Sequence, residues 1–544
     1  MAPSAKVAIG LRIGQTYSSI AIITKDGRTD CIANEDGERQ IPTMIAFMGD
    51  EEFTGTQAKL QALGNPKNTI AKFRNLIGLS FDDILPETSL PTSPISNFDS
   101  VPGYIITHNS QEKSYTVSEI TTKYISRLRE SAEDFLGQAV DGAVLAIPLY
   151  FTQSQREALR QAAEAAGLRV LQLIHEPAAA AVAYYRGGSK DVLAVIVDLG
   201  SESIDVTVMS IRSGMYTILG TTHSPQVGGN AFDDLLVTHF SSEFKRKTGI
   251  DISSNKRALT KLKSAVETTK KTLSSSTTAL CSVESLAEGI DFNGNINRTR
   301  FEIMSRKLFD KCVEFVKEAI GNVGIEPVLV EEVIFIGGAI RIPKLQARIR
   351  DIFSHPSTVI RQELEPDEVI SYGCAYQASL IINMTNTDIA ERIGKDITIT
   401  PHLTKPVGIV NASGNFVVVV PDNTPLPVRR VVEFSINDDQ RDCYISVWEG
   451  ELRLVKSDRN MNNENESQTG EDENNDNAED SDVSTSPVAT AEKLIAEIAL
   501  YEIQAGENGM KSVEFSIEID AWRKCTIGLK DQESGKTVEA VVNN

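Results

Sequence analysis

Aromatic side chains are scarce in this chain, 6% of 544 residues with two tryptophans among them. Basic residues are outnumbered, 54 Lys and Arg against 75 Asp and Glu, which leaves a net charge of -21. So acidic a surface repels nucleic-acid phosphates and anionic lipid headgroups, and argues against direct nucleic-acid or membrane binding. No run of 18 apolar residues occurs, so no membrane-spanning helix is expected. The opening MAPSAKVAIG carries one lysine and soon meets charged residues, a poor pattern for a secretory leader. The six cysteines (Cys31, Cys281, Cys312, Cys374, Cys443 and Cys525) lie far apart with no C-x-x-C pair. That spacing disfavours a zinc site and a disulfide framework, and predicts a reduced, intracellular protein. Neither G-x-x-x-x-G-K-[ST] nor G-x-G-x-x-G occurs, so P-loop and dinucleotide-fingerprint readings lose support.

What is present is ordinary globular material, 41% hydrophobic, enough for two to four domains. Positions 5–385 alternate apolar strands with helical stretches such as Val117–Gly137 and Gln153–Gly167, an α/β pattern. From 401 the punctuation changes to short strand-like runs: Pro406–Val410, Phe416–Val420, Val431–Ser435, Tyr444–Trp448, then Ser512–Ile519 and Cys525–Leu529. These predict one β domain; Ala491–Tyr501 reads as either a short helix or another strand. Between its halves, residues 457–487 hold ten acidic residues and one basic. A stretch with so few large apolar side chains cannot offset its chain entropy, so a disordered loop is expected there.

The α/β part contains an echo. Lys6–Ile23 (KVAIGLRIGQTYSSIAII) and Ala194–Ile211 (AVIVDLGSESIDVTVMSI) are each an apolar strand, a turn with glycine, and an alternating strand. Aligned on Gly14 and Gly200, Arg12 falls opposite Asp198. The pair suggests a duplicated half-domain. Glycine turns let backbone N–H groups approach an anion, so Gly14–Gln15–Thr16, Gly200–Ser201, Gly228–Gly229 and Gly337–Gly338 are candidate walls of a nucleotide cleft.

Longer stretches carry a family likeness: Ile32–Phe47 (IANEDGERQIPTMIAF), Asn65–Gly78 (NPKNTIAKFRNLIG), Ile174–Tyr184 (IHEPAAAAVAY), Leu273–Thr277, Glu288–Phe292, Ile336–Lys344 (IGGAIRIPK) and Pro366–Gln377 (PDEVISYGCAYQ). In sequence, order and spacing the chain resembles the 70-kDa heat-shock protein chaperones. The resemblance implies an α/β plus β architecture. An actin-like duplicated ATPase domain (1–388) is followed by a linker (389–400) and a lidless β-sandwich of the peptide-binding type (401–544). It implies ATP as the ligand. Gly14, Gln15, Thr16 and Tyr17 of the first turn and Gly228, Gly229 and Asn230 would lie on the phosphate side. Glu267, Lys270, Lys271 and Ser274 would hold adenine and ribose, and Gly337, Gly338, Ala339, Arg341 and Asp367 would form the opposite wall. Without the likeness, Glu267 and Lys270 read as a surface helical charge pair.

Set against the family, several positions depart. Lys271 stands for an arginine, which weakens stacking on adenine, and Ala339 for a serine. Arg12 replaces an aspartate that helps hold hydrated magnesium; a cation there repels the metal, though it can itself neutralise phosphate charge. Gln15 replaces a threonine, Arg74 a lysine, and Ser201–Glu202 two glycines that wrap the phosphates. Of the acidic magnesium shell only Glu176 and Asp198 stand out. Phosphoryl transfer depends on positioned cations and metal. The expectation is therefore ATP binding with little or no hydrolysis: no catalytic residues, no metal site, and no enzyme. The linker DITIT (Asp396–Thr400) is half polar, and Gln172 replaces an arginine that the family presents to J-domain co-chaperones. Within the family these traits resemble the atypical members that pair with a zuotin-like J-protein in a ribosome-associated complex. That likeness implies a cytoplasmic heterodimer, held at the ribosome through its partner. It would stimulate the main ribosome-bound chaperone and reach nascent polypeptides directly or through that chaperone. The alternatives are an active ATP-hydrolysing chaperone, or a nucleotide-exchange factor of the large heat-shock relatives.

Overall fold

The computed structural model describes residues 6–542 except 85–91, 109–110, 187–190, 213, 354, 386–402, 423, 425, 437–439, 458–483, 505–510 and 521–522; side chains of 452–457 and 484–488 are also outside it. The echo becomes two sheets of one design. The first hairpin is β1 (Ala8–Ile13) and β2 (Tyr17–Ile23), followed by β3 (Thr29–Ile32), β4 (Gly142–Ile147) and β5 (Val170–His175) in the order β5-β4-β1-β2-β3. The second is β6 (Val192–Leu199) and β7 (Ile204–Arg212), followed by β8 (Met215–Ser224), β9 (Glu332–Ile336) and β10 (Val359–Arg361) in the order β10-β9-β6-β7-β8. In both, the hairpin is antiparallel and its first strand pairs in parallel with a later one: Arg12 opposite Ala146, Asp198 opposite Ile336. Parallel neighbours need long crossovers, so the helices come between them and both faces of each sheet are covered.

Three apolar layers follow. Outside the first sheet pack α1 (Val117–Leu136) and α2 (Gln153–Ala165); each begins in a capping box, Thr116 with Glu119 and Thr152 with Gln155, that satisfies the orphan N–H groups of the first turn. Between the sheets lie α3 (Glu176–Tyr184) and α7 (Val369–Ile381), whose alanines meet Val144 and Ala146 of one sheet and Ala194 and Ile196 of the other. Outside the second sheet pack α4 (Gly229–Thr248), α5 (Lys256–Ser275) and α6 (Arg298–Val323), with Phe232, Phe240, Leu262 and Phe309 buried. No helix among the described residues is long and apolar enough to cross a membrane.

Among the described residues, the C-terminal part is two four-stranded antiparallel sheets. β11 (Val407–Val410), β12 (Phe416–Val420), β14 (Cys443–Ser457) and β15 (Ser484–Leu500) run β12-β11-β14-β15; β13 (Val428–Ile436), β16 (Lys511–Ile519), β17 (Cys525–Asp531) and β18 (Thr537–Val542) run β13-β16-β17-β18. Val513, Phe515, Ile517, Ile527 and Leu529 point inward at alternate positions, as a half-buried strand requires. The ambiguous Ala491–Tyr501 is strand: Ile498 and Leu500 are buried and pair with Ile445 and Cys443. The expected linker, 389–400, lies outside the described residues, and so does most of the expected acidic loop. The ends of that loop differ from expectation: Ser457 closes β14, and 484–487 open β15, because the two strands pair out to Ser457–Ser484.

Candidate functional site

The two hairpin turns face each other across a cavity of about 480 Å³, in the range of small-molecule sites. Thirteen of the expected residues line it: Gly14, Gln15, Thr16, Tyr17, Gly229, Asn230, Glu267, Lys270, Lys271, Gly338, Ala339, Arg341 and Asp367. Gly228, Gly337 and Ser274 stand behind the wall. A Cβ at Gly228 would sit 2.5–2.6 Å from the Glu202 backbone, and one at Gly337, at φ +85°, would sit 2.5 Å from Asp198 Oδ1. These two glycines therefore serve close packing of the walls. Ser274 offers its carbonyl to Arg298 Nη2 at 3.2 Å. In the turns, Gly14 N donates to Tyr17 O and Gly200 N to Ser203 O, the same closure twice. The Gly229 N–H, a candidate to face an anion, donates to the carbonyl of Gly200 at 2.9 Å, and the Asn230 N–H donates to that of Ser201 at 2.7 Å. They pin the second turn to the start of α4.

At one end of the cavity sits a charge cluster built from three elements. Glu267 on α5 accepts from Tyr17 Oη at 2.5 Å, and pairs with Lys59 at 2.9 Å and Lys271 at 2.8 Å. Lys59 and Lys271 lie over the Tyr17 ring at 5.3 and 5.0 Å. Burial alone would raise the Glu267 pKa; the two ammonium groups and the Tyr17 hydroxyl outweigh it and hold the carboxyl well below the usual carboxylate range. The helical pair Glu267–Lys270 does not form. Lys270, one position back on the helix from Lys271, points the other way, to Gly229 O and Asp233 Oδ2, both at 2.8 Å. Because the folded pKa of Glu267 is depressed, its contribution is present above the unfolded value and fades as pH falls below it. Glu267→Gln should cost about 1–2 kcal/mol at neutral pH, and the deficit should shrink as pH falls from about 5 toward about 2. Denaturant titrations of both chains at each pH check this; a deficit that does not change with pH would mean the carboxylate charge is not what matters.

The other end holds arginines. Arg12 Nε lies 3.4 Å from Glu176 Oε1, and Arg12 Nη2 3.5 Å from Asp198 Oδ2. Arg74 reaches the same Glu176 oxygen at 3.4 Å, Ile13 O at 3.3 Å and Tyr150 Oη at 2.8 Å. Burial would lower the Arg12 pKa, but Glu176, Asp198 and Asp367 together raise it, so it stays charged. Burial also pushes the Asp198 carboxyl up to about 7, against the pull of Arg12. The negative charges of Glu176 and Asp205 push it the same way. Glu202, expected to add charge beside an anion, is turned to Lys72 and to Asn230 Nδ2. Thr16 and Ser201 hydroxyls meet across the cleft at 2.5 Å.

Sequence reading missed Tyr150, Asp205, His223 and Asp233. His223 Nδ1 lies 2.7 Å from Asp205, and its ring packs on Tyr150 at 4.3 Å. No local motif marks these residues, which come from β7, β8, α4 and the turn after β4. Asp205, two residues beyond Ser203 in the echoed hairpin, was the findable one.

A family model described as Hsp70 protein matches residues 8–469. The chain belongs to the Hsp70 family. It is 36% identical over 98% of its length to a heat shock protein 70 homolog of Schizosaccharomyces pombe, 95% of which is covered. It is 35% identical to the ribosome-associated complex subunit SSZ1 of Saccharomyces cerevisiae, over 85% of this chain and 88% of that one. With a ribosome-associated molecular chaperone of Eremothecium gossypii it shares 36% over 82% of this chain and 72% of the relative. This Hsp70 thus has the duplicated ATPase fold and the β domain that the family implies. Membership also corrects an expectation. The replaced cleft residues led to a reading of no enzyme, yet the chain sits among chaperones of an ATP-hydrolysing family. The Eremothecium chaperone and the heat shock cognate 70 kDa protein 3 of Dictyostelium discoideum are both at 36% identity. Counting substitutions does not remove it from that activity class, and the acidic groups Glu176, Asp198 and Asp205 all stand in the cleft.

The cavity fits a nucleotide in size and in having a hydrogen-bonding end and a cationic end. Magnesium, which the family brings with the nucleotide, fits less well. It needs oxygen ligands and several waters in octahedral array. Here a guanidinium already lies between Glu176 and Asp198, and among the described residues no group of three His, Cys, Asp or Glu side chains could hold a metal ion.

Proposed function

We propose that this Hsp70 is a cytoplasmic, ribosome-associated co-chaperone that binds ATP and forms a stable heterodimer with a zuotin-like J-protein. In this reading it stimulates the main ribosome-bound chaperone during nascent-chain folding. The observation that carries the proposal is the extent of alignment with a ribosome-associated complex subunit, 88% of that protein at 35% identity. The nucleotide domain is taken as 1–388, the linker as 389–400 and the β domain as 401–544. ATP would lie with its adenosine toward Glu267, Lys270 and Lys271, beside Gly338, Ala339, Arg341 and Asp367. Its phosphates would run past Gly14–Thr16 toward Arg12. The replaced J-domain position also supports the reading: Gln172 is engaged with Gln377 Nε2 at 2.9 Å, a neutral pair where a cation would be presented. The surface is too acidic to hold ribosomal RNA by itself, so ribosome contact falls to the partner.

The test is purification of the tagged chain from its own cells at low salt, followed by a sucrose gradient. Equimolar recovery of one J-domain protein, sedimenting with ribosomes, is the expected result. A chain found at the top of the gradient, bound only to mixed client polypeptides, would replace this reading with that of a free chaperone.

A further inference from the structure

The guanidinium of Arg12 lies among acidic groups as a metal ion would, and its geometry is not that of a finished ion pair. Its contacts to Glu176 and Asp198, 3.4 and 3.5 Å, are longer than the ~2.7–2.9 Å of a charge-assisted hydrogen bond. Glu176 Oε1 is shared with Arg74, again at 3.4 Å. Asp198 Oδ1 is buried and, among the described contacts, has no hydrogen-bond partner. A planar group with five N–H donors is therefore held by two loose contacts, faces the cavity, and keeps donors for a further acceptor. The side chain is only 13% exposed, so little water competes for those donors. Arg12 sits at the end of β1, just before the Gly14 turn, where a Cβ at residue 14 would meet Tyr17 O at 2.2 Å. The backbone is thus drawn tight where a polyphosphate would pass the guanidinium. A divalent cation placed between Glu176 and Asp198 would have to displace Arg12 or stand against its charge.

We infer that nucleotide binding in this cleft needs no divalent cation, because Arg12 occupies the metal's place and meets the polyphosphate directly. The inference rests on the ATP-binding reading above. It concerns binding and leaves turnover as a separate readout. Arginine suits the role: it stays protonated, and its fork matches phosphate oxygens in a way that lysine does not.

The test is calorimetric titration of the nucleotide-stripped full chain with ATP, once in excess EDTA and once in excess magnesium. The two dissociation constants should agree within about fivefold. A loss of more than about fivefold in EDTA overturns the inference. Absence of binding in both buffers overturns the ATP reading instead, so the two failures are distinguishable. Arg12→Asp should reverse the behaviour, binding at least about fivefold more weakly in EDTA than in magnesium. An Arg12→Asp chain that folds, by its circular dichroism melt, and still binds equally in both buffers denies Arg12 the role. If that chain does not fold, manganese decides the matter with the unmodified protein. Excess manganese in place of magnesium should leave the dissociation constant of the unmodified chain within about fivefold of its EDTA value, and a tightening of more than about fivefold overturns the inference.

Discussion

Gly373→Ala should lower the melting temperature of the chain by about 3–5 °C, a loss of about 3 kcal/mol. The reason is backbone contact. Gly373 lies on α7, and a Cβ built there would be 1.7 Å from the carbonyl oxygen of Ala179 on α3 and 2.5 Å from its carbonyl carbon. No rotamer change relieves a clash with main chain, so one helix must move. Neither helix has room to do so. α7 is held from the sheet side as well, where a Cβ at Gly10 of β1 would meet Ala375 N at 2.1 Å and Ser371 O at 2.5 Å. The two glycines let α7 lie against both α3 and the first sheet, and this layer joins the two halves of the ATPase fold. Alanine otherwise favours a helix over glycine by about 0.5–1 kcal/mol, which works against the expected loss. Gly321→Ala is the control. It lies in the last turn of α6 with open space around its Cβ position, and its replacement should leave stability unchanged or raise it by up to about 1 kcal/mol. Equal melting of Gly373→Ala and the parent would mean that the two helices are not in backbone contact.

Lys270→Met should cost about 3–5 kcal/mol, read by guanidinium denaturation, because it strands a buried charge. Asp233 is 3% exposed, and Lys270 Nζ is its partner at 2.8 Å; Asp233 Oδ1 has no hydrogen-bond partner among the described contacts. Burial already raises the Asp233 pKa against the pull of Lys270. With the ammonium gone the carboxyl rises further and takes up a proton in the folded state before it does in the unfolded one. The variant should therefore lose less at about pH 5 than at about pH 8. The double variant Lys270→Met with Asp233→Leu should recover most of the loss, since replacing both partners removes the desolvation cost. A single-variant cost under about 1 kcal/mol would place the pair in the class of solvent-screened surface bridges. ATP affinity should fall in Lys270→Met, because the same ammonium ties the Gly229 carbonyl at the cavity wall.

Much of the architecture was legible. The echo between Lys6–Ile23 and Ala194–Ile211 suggested a duplicated half-domain, and the structure gives the two halves sheets of matching strand order. Periodicity found α1, α2 and six of the eight C-terminal strands among the described residues, because a half-buried element repeats its apolar positions at its own pitch. Ala491–Tyr501 stayed ambiguous: on its own the segment fits either element, and only its pairing with Cys443–Ser457 makes it strand. At the site, motif likeness located thirteen of sixteen residues on the cavity wall, but it credited Gly228 and Gly229 with a role toward an anion. Those positions hold the second turn instead.

By itself, then, the sequence determined the class of fold, the family and the address of the cleft. These are written in local patterns and in contiguous motifs, and need no knowledge of what lies across the chain. Only the tertiary structure decided what the cleft's charges do. Arg12 meets Asp198 from 186 positions away, Lys270 turns from Glu267 to Asp233, and Lys72 takes up the charge of Glu202. Coulomb energy and desolvation depend on separation in space and on burial, and neither is a function of distance along the chain.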